Sequence, residues 1–327
     1  MRPGPLGWLE KLRAAYRLAG NSHRPEVVVC GVDEHSLSLG LLVGRKAKIP
    51  VFCFVEDPPF TDRYTGSISF RAKVEKKLRT RLVGYLLDHC RGIFCFIERE
   101  VLREFNLKKS QIYQMMNSPS TLAREWAQRQ SKNMDGDYVV GLVGALTPAQ
   151  GLDTLFEICS EARRRIPHLK LRLIGPLDPE YKREYEITVK RFGFDSVVEV
   201  TGWLPYLKML EKLNDCAVGV YCNPPTEWFR FAHPLKICEY LALAKPTVAW
   251  DYPGTRRILN DGRLGILVPP GEKSALIDAL VSLGDVTVRK SIENEIHLAI
   301  EKQWCSDYWY GRVLEVINCH TYRETRM

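Results

Sequence analysis

Apolar residues fall into two kinds of run along this chain. In the first half, 26–31 (EVVVCG), 50–55 (PVFCFV) and 92–97 (GIFCFI) are short and nearly unbroken. Runs of this length without polar alternation predict strands covered on both faces, as in a parallel sheet. Helical spacing lies between them. The clearest helix is predicted over 71–87, where Val74, Leu78, Leu82 and Leu86 recur at i, i+4 as an apolar stripe. Its other face holds Lys73, Lys76, Lys77, Arg79 and Arg81. A further helix is predicted over 7–19. Ser118-Pro-Ser and the polar stretch 129–137 then break the pattern.

The second half alternates with more regularity. Strands are predicted over 138–143, 169–174, 197–201, 217–221, 246–250 and 265–268. Helices are predicted over 152–165, 180–192, 206–214 and 234–242, then from Ser274 and Ser291. Strand and helix joined by short links imply a doubly wound parallel sheet, which binds ligands at the carboxyl ends of its strands. The expected organisation is a partial N-terminal domain (1–120), a linker (121–137), a ligand-binding domain (138–302) and a C-terminal crossover helix and tail (303–327).

Composition narrows the classes. Hydrophobic residues make up 45% and charged residues 26% of 327 residues, which suits a globular chain of two domains. No apolar run reaches the roughly 18 residues of a membrane span, and the start, MRPGPLGW, lacks a secretory pattern. The ten cysteines form no C-x-x-C pair and sit mostly in apolar runs, which fits a reducing cytoplasm better than a disulfide framework. The net charge of +8 is uneven, with about 23 Lys and Arg against 13 Asp and Glu before residue 133 and about 24 against 26 after it. A basic half suits an anionic membrane, nucleic acid or a phosphorylated substrate. Nucleic acid ranks last, because no aromatic-rich basic sheet face or recognition motif accompanies the charge.

One helix carries candidate chemistry. In 233–250 (HPLKICEYLALAKPTVAW), Pro234 is placed to open a helix and Lys236 falls in its first turn, where the helix dipole disfavours a cation. An anion at that helix end removes the conflict. Leu235, Cys238, Glu239 and Ala242 share a face by spacing, so Glu239 stands among apolar neighbours and needs a hydrogen-bond partner. A ligand's hydroxyls can supply it, as can a backbone amide or an internal base. Gly141 and Gly144 follow a strand, where glycine lets backbone approach a phosphate or simply makes a tight turn.

The same segment resembles the donor-site signature of family 4 glycosyltransferases, closest to the variant N-P-L-K-L-x-E-Y-L-A-x-G-K-P-V-V. Residues 140–146 (VGLVGAL) resemble the glycine loop opening that family's C-terminal domain, and 251–255, 261–268 and Gln303-Trp304 resemble later segments. The resemblance implies a GT-B architecture of two Rossmann-like domains, the N-terminal one shortened, with either a truncated chain or a protein partner supplying the remainder. It implies sugar transfer from a nucleotide-sugar donor to a glycan or lipid-linked acceptor in cell-surface polysaccharide synthesis, with retention, no metal and no cofactor. Glu239 would hold the ribose and Lys236 the diphosphate, with Gly144, Arg230, His233, Pro234, Leu235 and Trp203 around the donor. Glu56 or Asp57 would accept a proton or orient the sugar. Three positions depart from the pattern: Ala145 and Gln150 stand where many members place diphosphate-binding arginine and lysine, and Phe231 where many place a glutamate. A divergent enzyme and a degenerate protein that docks another transferase both accommodate this. The basic helix adds docking on the cytoplasmic membrane face as an expectation.

Overall fold

The computed structural model describes residues 26–57, 70–130, 138–302 and 305–324. The helix expected over 7–19, the polar stretch 131–137 and Gln303-Trp304 lie outside the described residues. The chain divides into two units, Met1–Met116 with Tyr310–Met327, and Asn117–Trp309.

The first unit is a parallel sheet in the order β1 (Val28–Gly31), β2 (Val51–Val55), β3 (Gly92–Cys95) and β4 (Gln111–Gln114). Helix α1 (Glu34–Ala47) starts where the Asp33 carboxylate accepts hydrogen bonds from the backbone N–H of His35 and Ser36 at 3.1 and 2.9 Å. It stops at Lys48, which adopts the left-handed conformation (φ 55°). Two of the three apolar runs read from sequence are buried: Phe52, Cys53, Ile93 and Phe94 are fully covered, with Phe52 and Phe94 stacked at 5.5 Å. The run 26–31 is not covered on both faces as expected, because β1 is the edge strand of the sheet and Val29 is 47% exposed.

Helix α2 (Phe70–Leu87) forms as predicted but is rotated from the expected face. Val83 and Leu87 are fully buried, whereas Val74, Leu78 and Leu82 are 42%, 60% and 47% exposed. Two contacts fix this rotation. Gly84 turns toward the turn Arg99–Phe105, so closely that a β-carbon there would lie 2.7 Å from the Phe105 carbonyl oxygen. Arg79 reaches α1 and pairs with Glu34 at 2.7 Å.

The second unit begins earlier than the predicted linker allows. Helix α3 (Thr121–Gln128) is capped by Ser120, whose hydroxyl accepts from Ala123 N–H at 3.0 Å. It packs Ala123, Trp126 and Ala127 into the core beside Leu210, Leu213 and Tyr240. A buried face built largely from alanine leaves little periodicity to read, so 121–130 resembles a loop in sequence. The six-stranded sheet runs β10-β9-β8-β5-β6-β7, all parallel, from β5 (Val139–Val143), β6 (Lys170–Ile174), β7 (Val198–Val200), β8 (Val218–Tyr221), β9 (Thr247–Trp250) and β10 (Gly265–Val268). The chain builds outward from β5 through β6 to β7, then returns to the other side of β5 at β8. That reversal is the topological switch point.

The connecting helices are α4 (Leu152–Arg165), α5 (Lys182–Arg191), α6 (Tyr206–Asn214), α7 (Glu227–Phe231), α8 (Leu235–Ala242), α9 (Pro253–Ile258), α10 (Lys273–Ser282) and α11 (Val286–Lys302). A final helix, α12 (Ser306–Glu324), is divided: its residues from Tyr310 onward belong to the first unit. There His320 accepts from Arg91 Nε through Nδ1 at 3.1 Å, and its Nε2 meets the Tyr113 hydroxyl at 3.0 Å.

Candidate functional site at the switch point of the second unit

Helix α8 carries the two residues singled out by sequence, and Tyr240 fixes it in place. The Tyr240 ring lies beneath Gly219, where a β-carbon would come within 2.4 Å of it. Its hydroxyl donates to the Val220 carbonyl at 3.3 Å and accepts from Val143 N–H at 3.2 Å. One buried side chain therefore pins α8 to β5 and β8, the two strands flanking the switch point. Pro234 is the residue before the first helical turn rather than its first residue, with ψ at 117°. Lys236 remains in the first turn.

Lys236 points at the glycine turn after β5. Its Nζ would lie 3.6 Å from a β-carbon placed on Gly144, which has φ +131°. The ammonium donates to Gln150 Oε1 at 2.8 Å and sits 5.7 Å from the centre of the Tyr221 ring. Burial lowers its pKa from 10.5 to about 8, because an ammonium loses hydration that a carboxamide and an aromatic face replace only in part. Gln150 also accepts from Asn223 Nδ2 at 3.0 Å, which aims its oxygen at the lysine. A lysine at position 150 would place a second cation against the first; the amide offers an acceptor instead.

Glu239 lies one turn further along α8. Burial raises its pKa above the ordinary carboxylate value, and a hydrogen bond from the Tyr206 hydroxyl opposes that rise. The bond is 2.8 Å long, and the same hydroxyl lies 3.2 Å from Ser120 Oγ. The sequence reading left its partner open between a ligand and an internal group; the structure supplies an internal hydroxyl. One bond does not exhaust a carboxylate with two acceptor oxygens. The expected shared face also holds only in part: Cys238 and Ala242 are buried, but Leu235 is 64% exposed.

Backbone closeness shapes the turns around these side chains. Gly175, at the end of β6, has φ +146°, and a β-carbon there would lie 2.0 Å from the Gly144 carbonyl oxygen. Gly202 follows β7 with φ +69° and leads to Trp203, which is 73% exposed. With Tyr206, Leu207 and Leu235, Trp203 contributes exposed apolar surface to unit two.

The remaining expected residues are placed as follows. His233 is buried, and its backbone carbonyl accepts from Asn117 Nδ2 at 2.9 Å. Arg230 is exposed on α7, its guanidinium 5.6 Å from the centre of the neighbouring Phe231 ring. Glu56 and Asp57 belong to the other unit. They follow β2, are exposed, and line a pocket of about 390 Å³ with Val29, Cys30 and Phe54. Tyr206, Tyr240 and Asn223 were not singled out from sequence. Tyr240 stood next to Glu239 in the motif, but only the tertiary fold shows that its hydroxyl joins two strands.

Two Rossmann-like units, each with an all-parallel sheet, define an α/β protein of the GT-B class. Residues 137–285 match the family model described as glycosyl transferases group 1. Among curated relatives, a phosphatidyl-myo-inositol mannosyltransferase from Mycobacterium leprae is 27% identical over 143 residues, 42% of this chain and 34% of its own length. An alpha-D-kanosaminyltransferase from Streptomyces kanamyceticus is 25% identical over 165 residues, 50% of this chain and 41% of its own. The chain thus matches well under half of these relatives' length. Among solved structures, Anabaena Alr3699/HepE in complex with UDP superposes with TM-score 0.74 at 14% identity, covering 94% of this chain and 82% of that one. Sucrose-phosphate synthase from Thermosynechococcus elongatus gives 0.74 at 16% identity, covering 99% and 82%.

Proposed function

We propose that the chain is a glycosyltransferase that binds a nucleotide-sugar donor at the switch point of unit two and passes the sugar to a glycan or lipid-linked acceptor. The observation that carries this reading is the convergence of Lys236, Gly144 and Gln150 at the end of β5, with Glu239 one turn away on the same helix. An ammonium at a helix amino end beside an open glycine turn suits a diphosphate, and stabilises it most as the leaving group gains charge. Glu239 takes the ribose hydroxyls and Trp203 offers a face to the base. Uridine nucleotides are the first donors to test, since one solved neighbour was captured with UDP and with UDP-glucose. Family resemblance supports retention of configuration and chemistry without metal or cofactor, with Glu56 or Asp57 serving the acceptor. The reading extends to cell-surface polysaccharide synthesis on the cytoplasmic side of an anionic membrane.

Calorimetric titration of the wild type and Glu239→Gln with UDP tests the site. We expect the variant to bind about tenfold or more weakly, the cost of one charge-assisted hydrogen bond. Equal affinities would remove Glu239 from the donor site. A second reading, a docking protein derived from a transferase, draws on Ala145 and Gln150 standing where cations are usual. Hydrolysis or transfer with a panel of nucleotide sugars separates the two, because the docking reading requires binding without turnover.

A further inference from the structure

The rotation of α2 leaves an apolar helix face uncovered. Val74, Leu78, Leu82 and Tyr85 follow at i, i+4, i+8 and i+11, so they form one stripe, and Tyr85 is 64% exposed. The stripe does not end at the helix. Tyr85 and Leu86 line a cavity of about 1050 Å³, whose wall continues through Leu41 and Leu42 of α1 and through Pro50 and Val51 at the start of β2. Leu42 itself is 43% exposed.

The same cavity is cationic. Arg45, Lys48, Arg91 and Lys109 line it with His89 and His320, and no carboxylate does. The nearby Asp88 is spent on the backbone: it accepts from the N–H groups of Lys108 and Lys109 at 2.8 and 3.0 Å. Among the described residues no carboxylate pairs with Arg45, Lys48 or Arg91, while the charge of Lys109 also favours the ionised Asp88 carboxylate. Arg91 precedes β3 and Gln111 opens β4, so the cavity lies at the amino ends of β2, β3 and β4, opposite to Glu56 and Asp57.

A soluble phosphate would satisfy the cations but leave the apolar stripe in water. A neutral apolar partner would cover the stripe but gain nothing from four converging cations. An anionic bilayer answers both features at once, since its headgroups meet the cations while its acyl boundary takes the stripe. We infer that unit one docks on an anionic phospholipid surface with α2 lying along it, and that the cavity between α1, α2 and the amino ends of β2–β4 takes one headgroup phosphate. This deepens the membrane part of the proposed function, and its test uses no nucleotide sugar.

The full chain is floated with vesicles of phosphatidylcholine alone and of phosphatidylcholine with about one part in three phosphatidylglycerol. We expect recovery only with the anionic vesicles, and its loss at raised salt. Leu78→Gln with Leu82→Gln, and separately Arg91→Gln with Lys109→Gln, should each weaken recovery about tenfold or more. Hydrogen exchange on the wild type needs no variant: amides of Phe70–Leu87 should gain protection when anionic vesicles are added. Equal recovery on both compositions, no recovery on either, or protection that spares α2 would each overturn the inference. Normal UDP affinity in the variants shows that any loss of vesicle binding is separate from the donor site.

Discussion

The two sheets share one architecture and distribute their chemistry differently. In the second unit the carboxyl ends of the strands are built tightly: the Gly144 and Gly175 backbones meet, and α8 brings Lys236 to Gly144 and holds Glu239 one turn further along, bonded to Tyr206. In the first unit the carboxyl end of β2 offers two exposed carboxylates, while the large cavity and its cations sit at the amino ends. A parallel sheet predisposes its carboxyl end to ligands through helix amino termini and turns. Which end becomes a site still depends on where close backbone contacts and unpaired charge are placed.

The largest expected difference between the units is in stability. Gly175→Ala forces a β-carbon against the Gly144 carbonyl at a backbone angle that alanine avoids. We expect a loss of about 2–4 kcal/mol in denaturant unfolding, together with weakened nucleotide binding. Gly31→Ala is the matched change in unit one, where the new atom meets only Asp33 Oδ2 at an ordinary 3.6 Å. Its cost should stay below about 1 kcal/mol. Similar losses at both positions would show that the second unit's turns are no tighter than the first's.

Next comes charge. Lys236→Met keeps much of the side-chain volume and removes the ammonium; affinity for UDP should fall about 100-fold, or about 2.7 kcal/mol. The pH dependence carries the same signature. Since folding lowers this lysine from 10.5 to about 8, the folded state resists protonation. Between those pH values the unfolded chain binds more protons, so the unliganded protein gains stability as pH rises from 8 toward 10.5. Diphosphate favours the protonated form, so affinity should decline above pH 8 in the wild type. Titrations at pH 7 and pH 9 should show a decline that is absent from Lys236→Met. Parallel profiles for the two proteins would detach Lys236 from the phosphate.

These residues also mark what the sequence makes legible. Lys236 and Glu239 were visible because each breaks a local rule, a cation in a helix's first turn and a carboxylate among apolar neighbours. The strand-helix alternation of unit two was visible because buried parallel strands read as unbroken apolar runs. The face of α2 was misread for a reason the sequence hides. Gly84 and Arg79 set the rotation through Phe105 and Glu34, which lie 21 and 45 positions away. Likewise α3 buries alanines, which leave no strong period, and Tyr206 reaches Glu239 across 33 positions.

The smallest expected effect on nucleotide affinity separates the units most cleanly. Glu56 and Asp57 belong to the first unit and stand exposed at the end of β2. If donor binding resides in the second unit, Glu56→Gln and Asp57→Asn should each leave UDP affinity within about twofold, below about 0.5 kcal/mol. The amides keep the shape and remove the base. If either carboxylate serves the acceptor hydroxyl, its variant should lose turnover while UDP affinity holds, since a group acting on the acceptor contributes after the donor is bound. An unchanged turnover in both variants would leave acceptor activation to other groups. A fall in UDP affinity comparable to that of Lys236→Met would place unit one in the donor site and end the contrast between the two sheets.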